Sequence, residues 1–292
     1  MPIVSQHFSD FNFFENLPDL TELDTGSTTH STKLAVPCRD PKFVVKRWLG
    51  HSGKRAGLMD LFENLLAEIL RSWKRLHHPN VVRFIGITSD ANLPDPHWPV
   101  SLVLPYYKNG NVNDFVRLQK DHLTDHFLLD LAKGIARGLG YMHSLDDPVC
   151  HGNVRGVNIL INDSGEPLIS DVGLSSLAED PQFDGYIPNF AIKHCRWLAP
   201  EIMVSGTELA KSASADVYSY GMTLLEMYDE EMPYPELGDY AVIRKVTSGE
   251  RPTRPPAKFL TDEIWDIIKK CTMHAAIDRP AMACIFNYLE KI

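Results

Sequence analysis

Polar side chains gather around two short apolar runs near the middle of the chain. The stretch Pro148–Ile161 ends in the first run, the second is Leu168–Leu174, and residues 162–167 form a polar turn between them. This pattern predicts a loop, a short strand, a hairpin turn and a second short strand. The polar residues at the strand ends are His151, Asn153, Arg155, Asn158 and Asp171. The carboxamide of Asn153 cannot accept and hold a proton near neutral pH, so it cannot be a general base.

These residues resemble the catalytic loop His-Arg-Asp-x-x-x-x-Asn and the Asp-Phe-Gly turn of eukaryotic protein kinases. In that family the loop Asp accepts the proton of the substrate hydroxyl, and the Asn and the later Asp hold magnesium. The resemblance implies that Asn158 and Asp171 are metal ligands and that Asn153 and Arg155 occupy catalytic positions. Asn153 stands in the base position. The run 151–160, His-Gly-Asn-Val-Arg-Gly-Val-Asn-Ile-Leu, resembles the His-Gly-Asp-Leu-x-Gly-x-Asn-Ile-Leu pattern of fungal kinases of the tyrosine-kinase-like group.

The resemblance extends to residues that would contact a nucleotide. Lys46, in the strand Lys42–Trp48, matches the family's Lys against the α- and β-phosphates, and Val44 replaces the Ala that leaves room for adenine. Leu104 would lie at the back of the pocket, and residues 105–112 look like the hinge that hydrogen-bonds adenine. The resemblance therefore implies weak binding of ATP with Mg²⁺. The nucleotide contacts it implies are Gly26, Val44, Lys46, Leu104, Tyr106 and Leu160.

The turn 25–31 stands where the family carries its glycine-rich phosphate loop, and only Gly26 remains of those glycines. Its hydroxyl side chains could donate hydrogen bonds to phosphate, although their Cβ atoms would crowd it. An ordinary hydroxyl-rich hairpin explains the same residues. Both interpretations stay open.

An amphipathic helix is predicted over residues 58–76, because apolar residues including Trp73 recur at helical spacing before Pro79. It resembles the family's αC helix, which carries a Glu that pairs with the strand Lys. Counting back from the His-Pro-Asn motif reaches Ile69, whereas Glu68 is one residue, about 100° of rotation, away. The existence of a Lys46–Glu68 pair is left open.

Several other positions match structural or regulatory residues of the family. Val172 replaces the Phe of the metal-binding turn, and the segment after it ends in Arg196–Glu201. The resemblance implies that Asp216 binds the catalytic-loop backbone and that Arg279 pairs with Glu201. The structural and regulatory residues are Glu68, Trp73, His151, Val172, Glu201, Asp216 and Arg279.

Composition limits the class of protein. The 292 residues are 44% hydrophobic, enough for a real core, and the net charge of −9 disfavours nonspecific binding to nucleic acid or anionic membranes. The five cysteines form no Cys-x-x-Cys pair, which favours reduced thiols. The chain has neither a signal-peptide pattern nor a run near the ~20 apolar residues of a membrane span. We therefore expect a cytoplasmic protein.

The predicted fold class is α+β, a bilobal protein-kinase-like fold with a small β-rich lobe containing one long helix and a larger, mainly helical lobe. The expected boundaries are a tail at 1–19 and a kinase-like domain at 20–292, divided into a small lobe at about 20–104, a hinge at about 105–110 and a large lobe at about 111–292. The tail's aromatic residues either pack on the small lobe or form a free tail. Strands are predicted over 20–48, 80–88 and 100–104, and a helix over 125–143.

Three functions follow from this pattern. The favoured one is a pseudokinase that binds ATP weakly and acts in signalling through protein partners, because the base, the glycine loop, the αC Glu and the Phe of the metal turn all depart from the family together. The second is an active, atypical kinase for protein substrates, since phosphoryl transfer depends more on positioning and charge than on a base. The third is a kinase-shaped scaffold that binds no nucleotide.

Overall fold

The computed structural model describes residues 6–14, 20–23, 30–35, 42–48, 56–88, 100–179, 194–205 and 212–292. These residues divide into two compact units. Unit 1 contains the described residues up to His77, Val82–Tyr106 and residues 177–179. Unit 2 contains His78–Val81, Tyr107–Ser176 and the described residues from His194 onward. Residues 25–29 of the predicted phosphate loop, with Gly26, lie outside the described residues, and its last two residues, His30 and Ser31, begin a strand.

Unit 1 is built on a five-stranded antiparallel sheet with the strand order β1-β2-β3-β5-β4. In β3, Val45 is 1% exposed while Val44 and Lys46 are only partly buried, the alternation of a strand with one face in a core. The strands are β1 Leu20–Leu23, β2 His30–Ala35, β3 Phe43–Trp48, β4 Gly86–Thr88 and β5 Ser101–Pro105.

The long helix of unit 1, α1, spans Ala56–Lys74 and buries the stripe Phe62, Leu66, Leu70 and Trp73. It lies two residues earlier than the predicted 58–76 at both ends. The amide of Leu76 donates to the carbonyl of Trp73 as the chain leaves the helix, and the Trp73 indole donates to the carbonyl of Val82 at 2.7 Å. Leu76 is apolar and buried although it lies beyond the end of the helix. The predicted helix includes Leu76 for this reason and ends two residues too late.

The strand predicted over 80–88 is wrong for its first six residues, because only Gly86–Thr88 forms a strand. Residues 78–81 belong to unit 2, where the Asn80 side chain donates to the carbonyl of Pro167 at 2.9 Å and Val81 makes a single bridge with Ile169. Val82 and Phe84 are buried by packing rather than by a strand ladder. An apolar run of this kind cannot be distinguished from a strand by periodicity alone.

Residues 6–14 pack against unit 1 instead of forming a free tail. Phe8 is 1% exposed and Phe11 is 8% exposed. The amide of Phe14 donates to the carbonyl of Ile87, and the amide of Ile87 donates to the carbonyl of Asn12. Of the two alternatives for this aromatic segment, packing therefore describes residues 6–14.

Unit 2 is mainly helical. Its other elements pack around helix α6, Ala213–Asp229, which is buried from Ala215 to Tyr228. The two-stranded sheet β6–β7 holds the hairpin predicted from the central apolar runs. The helix predicted over 125–143 has those bounds, since Thr124 caps its start by accepting from the amide of Phe127. The elements are α2 Val112–Leu118, α3 Asp125–His143, β6 Ile159–Ile161, β7 Pro167–Ile169, α4 Ser175–Glu179, α5 Pro200–Ser205, α6 Ala213–Asp229, α7 Asp239–Thr247, α8 Asp262–Cys271 and α9 Met282–Leu289.

The predicted α+β class is confirmed, with a small sheet-based unit carrying one long helix and a larger helical unit. The chain passes from unit 1 to unit 2 between Tyr106 and Tyr107. Among the described helices, none has the length and apolar character needed to cross a membrane. Cys150, Cys195, Cys271 and Cys284 are free thiols.

Candidate active site

The β6–β7 hairpin brings Asn158 and Asp171 to the same end of a small sheet. Ile159 pairs with Ile169, and the amide of Ser170 donates to the carbonyl of Asn158 at 2.9 Å. Asp171 follows Ser170 directly and adopts a left-handed backbone with φ 65°. A non-glycine residue in that conformation is uncommon and often marks a functional turn. Both side chains are buried, so they can act on a ligand only as oriented, largely desolvated groups.

His151 is a neutral, structural imidazole. Its Nδ1 accepts from the amide of Asn153 at 3.1 Å, so its Nε2, 2.7 Å from the carbonyl oxygen of Ser170, must be the donor. The side chain is fully buried, and this burial lowers the pKa of His151 despite the opposing effect of Asp216. His151 therefore connects the catalytic loop to the segment before Asp171 without taking part in proton transfer.

Asp216, near the start of α6, holds the loop backbone on either side of His151. Its Oδ2 accepts from the amide of His151 at 2.7 Å, and its Oδ1 accepts from the amide of Gly152 at 2.8 Å. The His143 imidazole lies 2.9 Å from the same Oδ2. Gly152 has φ 76°, a conformation that favours glycine, which explains the residue type beside this carboxylate.

Asn153 is fixed at its backbone and 7% exposed. Its amide donates to His151, and its carbonyl accepts from the Asn158 side-chain amide at 2.9 Å. The loop thus orients a carboxamide where a kinase of the usual pattern has a carboxylate. This group can accept a hydrogen bond through its side-chain oxygen but cannot take up a proton.

Glu226 is a buried carboxylate that joins three segments around Arg155. It accepts from the amide of Gly156 at 2.9 Å, from the Trp197 indole at 2.9 Å and from the Asn113 side chain at 2.7 Å. Burial raises the pKa of Glu226, while these donors and the charge of Arg155 lower it. The Arg155 guanidinium lies 5.9 Å from the centre of the Trp197 ring.

Arg155 keeps its positive charge at neutral pH. Burial lowers the pKa of Arg155 to about 10, while Glu226 and Asp171 act in the opposite direction. A pKa of about 10 still lies well above 7. The loop therefore presents one permanent cation and, at position 153, no base.

The donor set of unit 2 fits magnesium. The Asn158 Nδ2 donates to the carbonyl of Asn153, so the side-chain oxygen is the atom with which Asn158 could bind a cation. Asp171 supplies a carboxylate whose Oδ1 lies 3.2 Å from the Ser170 hydroxyl. Carboxylate and carbonyl oxygens are the ligands that Mg²⁺ prefers. A bound Mg²⁺ would neutralise phosphate charge, and Asn158 and Asp171 are the residues that would hold it.

Three of the residues implied in nucleotide binding lie on adjacent strands of unit 1, namely Val44, Lys46 and Leu104. Val44 pairs with Leu104, and Lys46 pairs with Leu102, on the adjacent strands β3 and β5. Leu104 is 4% exposed, whereas Val44 and Lys46 are partly buried. The amide of Tyr106 donates to the carbonyl of Lys42 at 3.1 Å.

Leu160, in β6 of unit 2, is partly buried and bridges Asn111. Val172 in unit 2 is 1% exposed.

Glu68, the residue considered as a partner for Lys46, lies away from the buried stripe of α1. The Glu68 side chain is exposed. Its neighbours Leu66 and Leu70 are fully buried. The Glu68 carboxylate therefore lies on the solvent side of α1, one residue from the position that the count from the His-Pro-Asn motif reaches.

Glu201 and Arg279 form a bidentate ion pair, with N–O distances of 2.6 and 2.7 Å. Arg279 has a fully buried side chain and also donates to the carbonyls of Met273, Ser214 and His274. All five guanidinium donors are directed at acceptors, which is the geometry that Lys cannot reproduce. This pair ties α5 to the segment that precedes α9.

The family profile described as protein tyrosine and serine/threonine kinase matches residues 52–289. The chain belongs to this protein kinase family. Serine/threonine-protein kinase 12 of Arabidopsis thaliana is 30% identical over 75% of this chain and 46% of its own length. RGS domain-containing serine/threonine-protein kinase A of Dictyostelium discoideum is 31% identical over 89% of the chain and 20% of its own length. Ephrin type-A receptor 3 of Danio rerio is 29% identical over 74% and 21%. This kinase domain thus spans less than half the length of these relatives.

Sequence reasoning missed Glu226 and its partner Asn113 in the kinase domain. Glu226 lies inside the apolar helix α6, and a lone carboxylate in such a helix is a signal of a buried, paired charge. Its three donors come from positions 113, 156 and 197, so their convergence depends on the tertiary fold.

Proposed function

We propose that this kinase domain is a pseudokinase that binds ATP with Mg²⁺ weakly and acts in signalling through protein partners. The observation that carries the proposal is the place of Asn153 in the loop, where the backbone is held as a catalytic loop requires but the side chain has no basicity. We further assign the chain to the tyrosine-kinase-like group on its run 151–160, and to the cytoplasm.

The exposure of Glu68 on α1 supports the same proposal. In active kinases a pair between the helix Glu and the strand Lys positions the Lys that holds the α- and β-phosphates. With Glu68 turned to solvent, phosphate would be held less firmly, which lowers affinity and misplaces the transferred group. Lys46 in unit 1 is the nucleotide contact of this proposal, and Asn158 and Asp171 in unit 2 are its metal contacts.

One observation favours an active, atypical kinase as the second candidate. The supports of the catalytic loop are complete, since Asp216, His151 and the Glu201–Arg279 pair make all their contacts and Arg155 keeps a charge in the loop. Phosphoryl transfer relies mainly on positioning and charge, so such a loop could turn over slowly.

Thermal unfolding with and without Mg-ATP tests nucleotide binding. Ligand at ~100 times its dissociation constant stabilises by about 2.7 kcal/mol, roughly a 4 °C rise in Tm for a domain of this size. We expect such a rise for the wild-type chain and a much smaller one for Asp171→Ala. Asp163→Ala, which removes an exposed carboxylate from the nearby hairpin turn, is the matched control and should keep the rise. A folded wild-type protein with no shift would favour the nucleotide-free scaffold.

A further inference from the structure

Three side chains that can bind a metal ion meet in unit 2, where α3 and α6 approach the start of the catalytic loop. They are His143 at the end of α3, Cys150 just before the loop and Asp216 near the start of α6. One ligand atom from each, an imidazole nitrogen, the thiol sulphur and a carboxylate oxygen, lies within 4.8 Å of the other two. The role of Asp216 in holding the loop backbone does not account for the presence of a thiol and an imidazole beside it.

The backbone brings the three residues together without help from an ion. The amide of Val149 donates to the carbonyl of Met142 at 3.0 Å, which sets Cys150 beside the last turn of α3. Asp216 accepts from the amide of His151 at 2.7 Å, so its carboxylate lies beside the residue that follows Cys150. Hydrogen bonds of this kind keep a ligating carboxylate in place for an ion. The cluster is therefore preformed.

The imidazole of His143 has one ring nitrogen that lacks a partner. Its side chain is 9% exposed, and its Nε2 lies 2.9 Å from the Asp216 Oδ2. Because a carboxylate only accepts, Nε2 is the donor in the neutral ring and Nδ1 carries the lone pair. Nδ1 is buried and has no hydrogen-bond partner within the described parts of the chain. The neutral ring thus keeps a buried lone pair that no donor takes up, and neutral imidazole is the form that binds metals.

The separations in the cluster are close to those that a bound ion requires. Zinc lies about 2.0–2.2 Å from nitrogen and oxygen ligands and about 2.3 Å from sulphur, so the ligand atoms of a tetrahedral site are about 3.3–3.6 Å apart. The distance of 2.9 Å between nitrogen and oxygen is slightly shorter than this, and the upper limit of 4.8 Å is about an ångström longer. Small rotations about the side-chain bonds of His143 and Cys150 are enough to close the difference.

We propose that His143, Cys150 and Asp216 form a binding site for a transition-metal ion of the zinc type, with water as the fourth ligand. A thiolate and an imidazole favour Zn²⁺ over Mg²⁺, which prefers oxygen ligands. Binding releases the thiol proton of Cys150 to solvent, and the thiolate and carboxylate then neutralise the two charges of the ion. The ion joins the end of α3, the start of the loop and α6. The site shares no residue with the proposed magnesium ligands Asn158 and Asp171.

Cobalt(II), a spectroscopic substitute for zinc, tests the site in the full chain after treatment with a chelator. A Co²⁺–thiolate bond gives a charge-transfer absorption band in the near ultraviolet. We expect this band to saturate at one Co²⁺ per chain in the wild type and to disappear when Zn²⁺ is added. Cys150→Ser should lose the band. His143→Gln should weaken Co²⁺ binding by about a hundredfold or more, because losing a ligand costs more than losing an outer-shell partner.

Two variants serve as controls. Cys284→Ser removes an exposed thiol elsewhere in unit 2 and should bind Co²⁺ as the wild type does. Asp171→Ala changes the proposed magnesium site and should also keep the band. A second readout is thermal unfolding, since an ion that binds only the folded chain stabilises it. Zn²⁺ should raise the Tm of the wild type and leave the Tm of Cys150→Ser unchanged.

Three results would overturn the proposal. Absence of the thiolate band in folded wild-type protein would show that the cluster binds no ion of this class. A band that persists in Cys150→Ser would place the ion at another thiol. Unchanged affinity in His143→Gln would mean that the thiol binds adventitious metal without the cluster. Because these measurements need no nucleotide, a failure here is distinct from a failure of Mg-ATP to raise the Tm.

Discussion

At the scale of single residues, His151 and Asn153 show how a loop can be kept while its chemistry is changed. His151 uses both ring nitrogens, one toward the amide of Asn153 and one toward the carbonyl of Ser170. Neither contact involves the Asn153 side chain. The loop geometry is therefore independent of the group at position 153, so an amide can replace a carboxylate there without disturbing the backbone.

The buried, neutral His151 makes stability depend on pH. Because burial lowers the pKa of His151 in the folded protein, the unfolded chain binds a proton on this residue near pH 6.5 and the folded chain does not. The stabilisation is complete above pH 6.5 and is lost as the pH falls below that value. We expect the free energy of unfolding to decrease from pH 7 to pH 5, and the decrease to be smaller in His151→Gln. Chemical denaturation at several pH values measures the free energy of unfolding of the two proteins. An equal decrease in both would contradict the account. The control is His122→Gln, which replaces an exposed histidine.

At the scale of elements, the junction of α2 with the catalytic loop depends on the glycine at position 156, which has no side chain. A Cβ at Gly156 would lie 1.9 Å from the Asn113 Oδ1, and both residues hydrogen-bond Glu226. The α2 helix can approach the loop this closely only because position 156 is glycine. The hydrogen bonds to Glu226 then fix the spacing between α2, the loop and α6.

Gly156→Ala should destabilise the domain by about 1–3 kcal/mol through overpacking. Gly238→Ala, where the same methyl group meets nothing, should change stability far less. Combining Gly156→Ala with Asn113→Ala should cost less than the sum of the two single changes, because truncation makes room for the methyl group. Urea denaturation of the wild type and the four variants measures these differences, and strict additivity would show that the two positions do not touch.

The elements that could be predicted from the sequence are those whose signals are local. Helix α3 has its predicted bounds because Thr124 caps it and one face is apolar throughout. The β6–β7 hairpin follows from two apolar runs around a polar turn. Residues 80–85 were predicted wrongly because their apolar side chains pack without a strand ladder. The contacts of Glu226 and of residues 6–14 could not be predicted, since they join residues 29–113 positions apart.

At the scale of the whole molecule, the two units retain different parts of the kinase pattern. Unit 2 keeps the supports of the catalytic loop, with Asp216 on α6 and the Glu201–Arg279 pair. Unit 1 keeps Lys46 on β3 but turns Glu68 to solvent. The departures thus fall on the groups that position phosphate and accept a proton, while the groups that stabilise the fold are retained.

Arg279→Lys should lower the stability of unit 2 by about 3 kcal/mol, because the partly buried Glu201 carboxylate and several carbonyls lose the fixed donors of a fully buried guanidinium. Arg254→Lys changes a half-exposed arginine in the same unit and should be nearly neutral. Thermal and urea unfolding of the two variants measure the difference. Equal stabilities would mean that the ion pair at Glu201 contributes little to holding α5 in place.

The central claim is that the amide of Asn153 leaves this kinase domain without effective phosphoryl transfer. The most direct measurement is the rate of transfer from Mg-ATP to a protein or peptide substrate by the purified wild-type chain, beside Asn153→Asp and Asp171→Ala. We expect undetectable or very slow transfer by the wild type, and a rise on the order of a hundredfold in Asn153→Asp if the missing base is the main defect. Wild-type turnover at ~1–100 per second that disappears in Asp171→Ala would contradict the account.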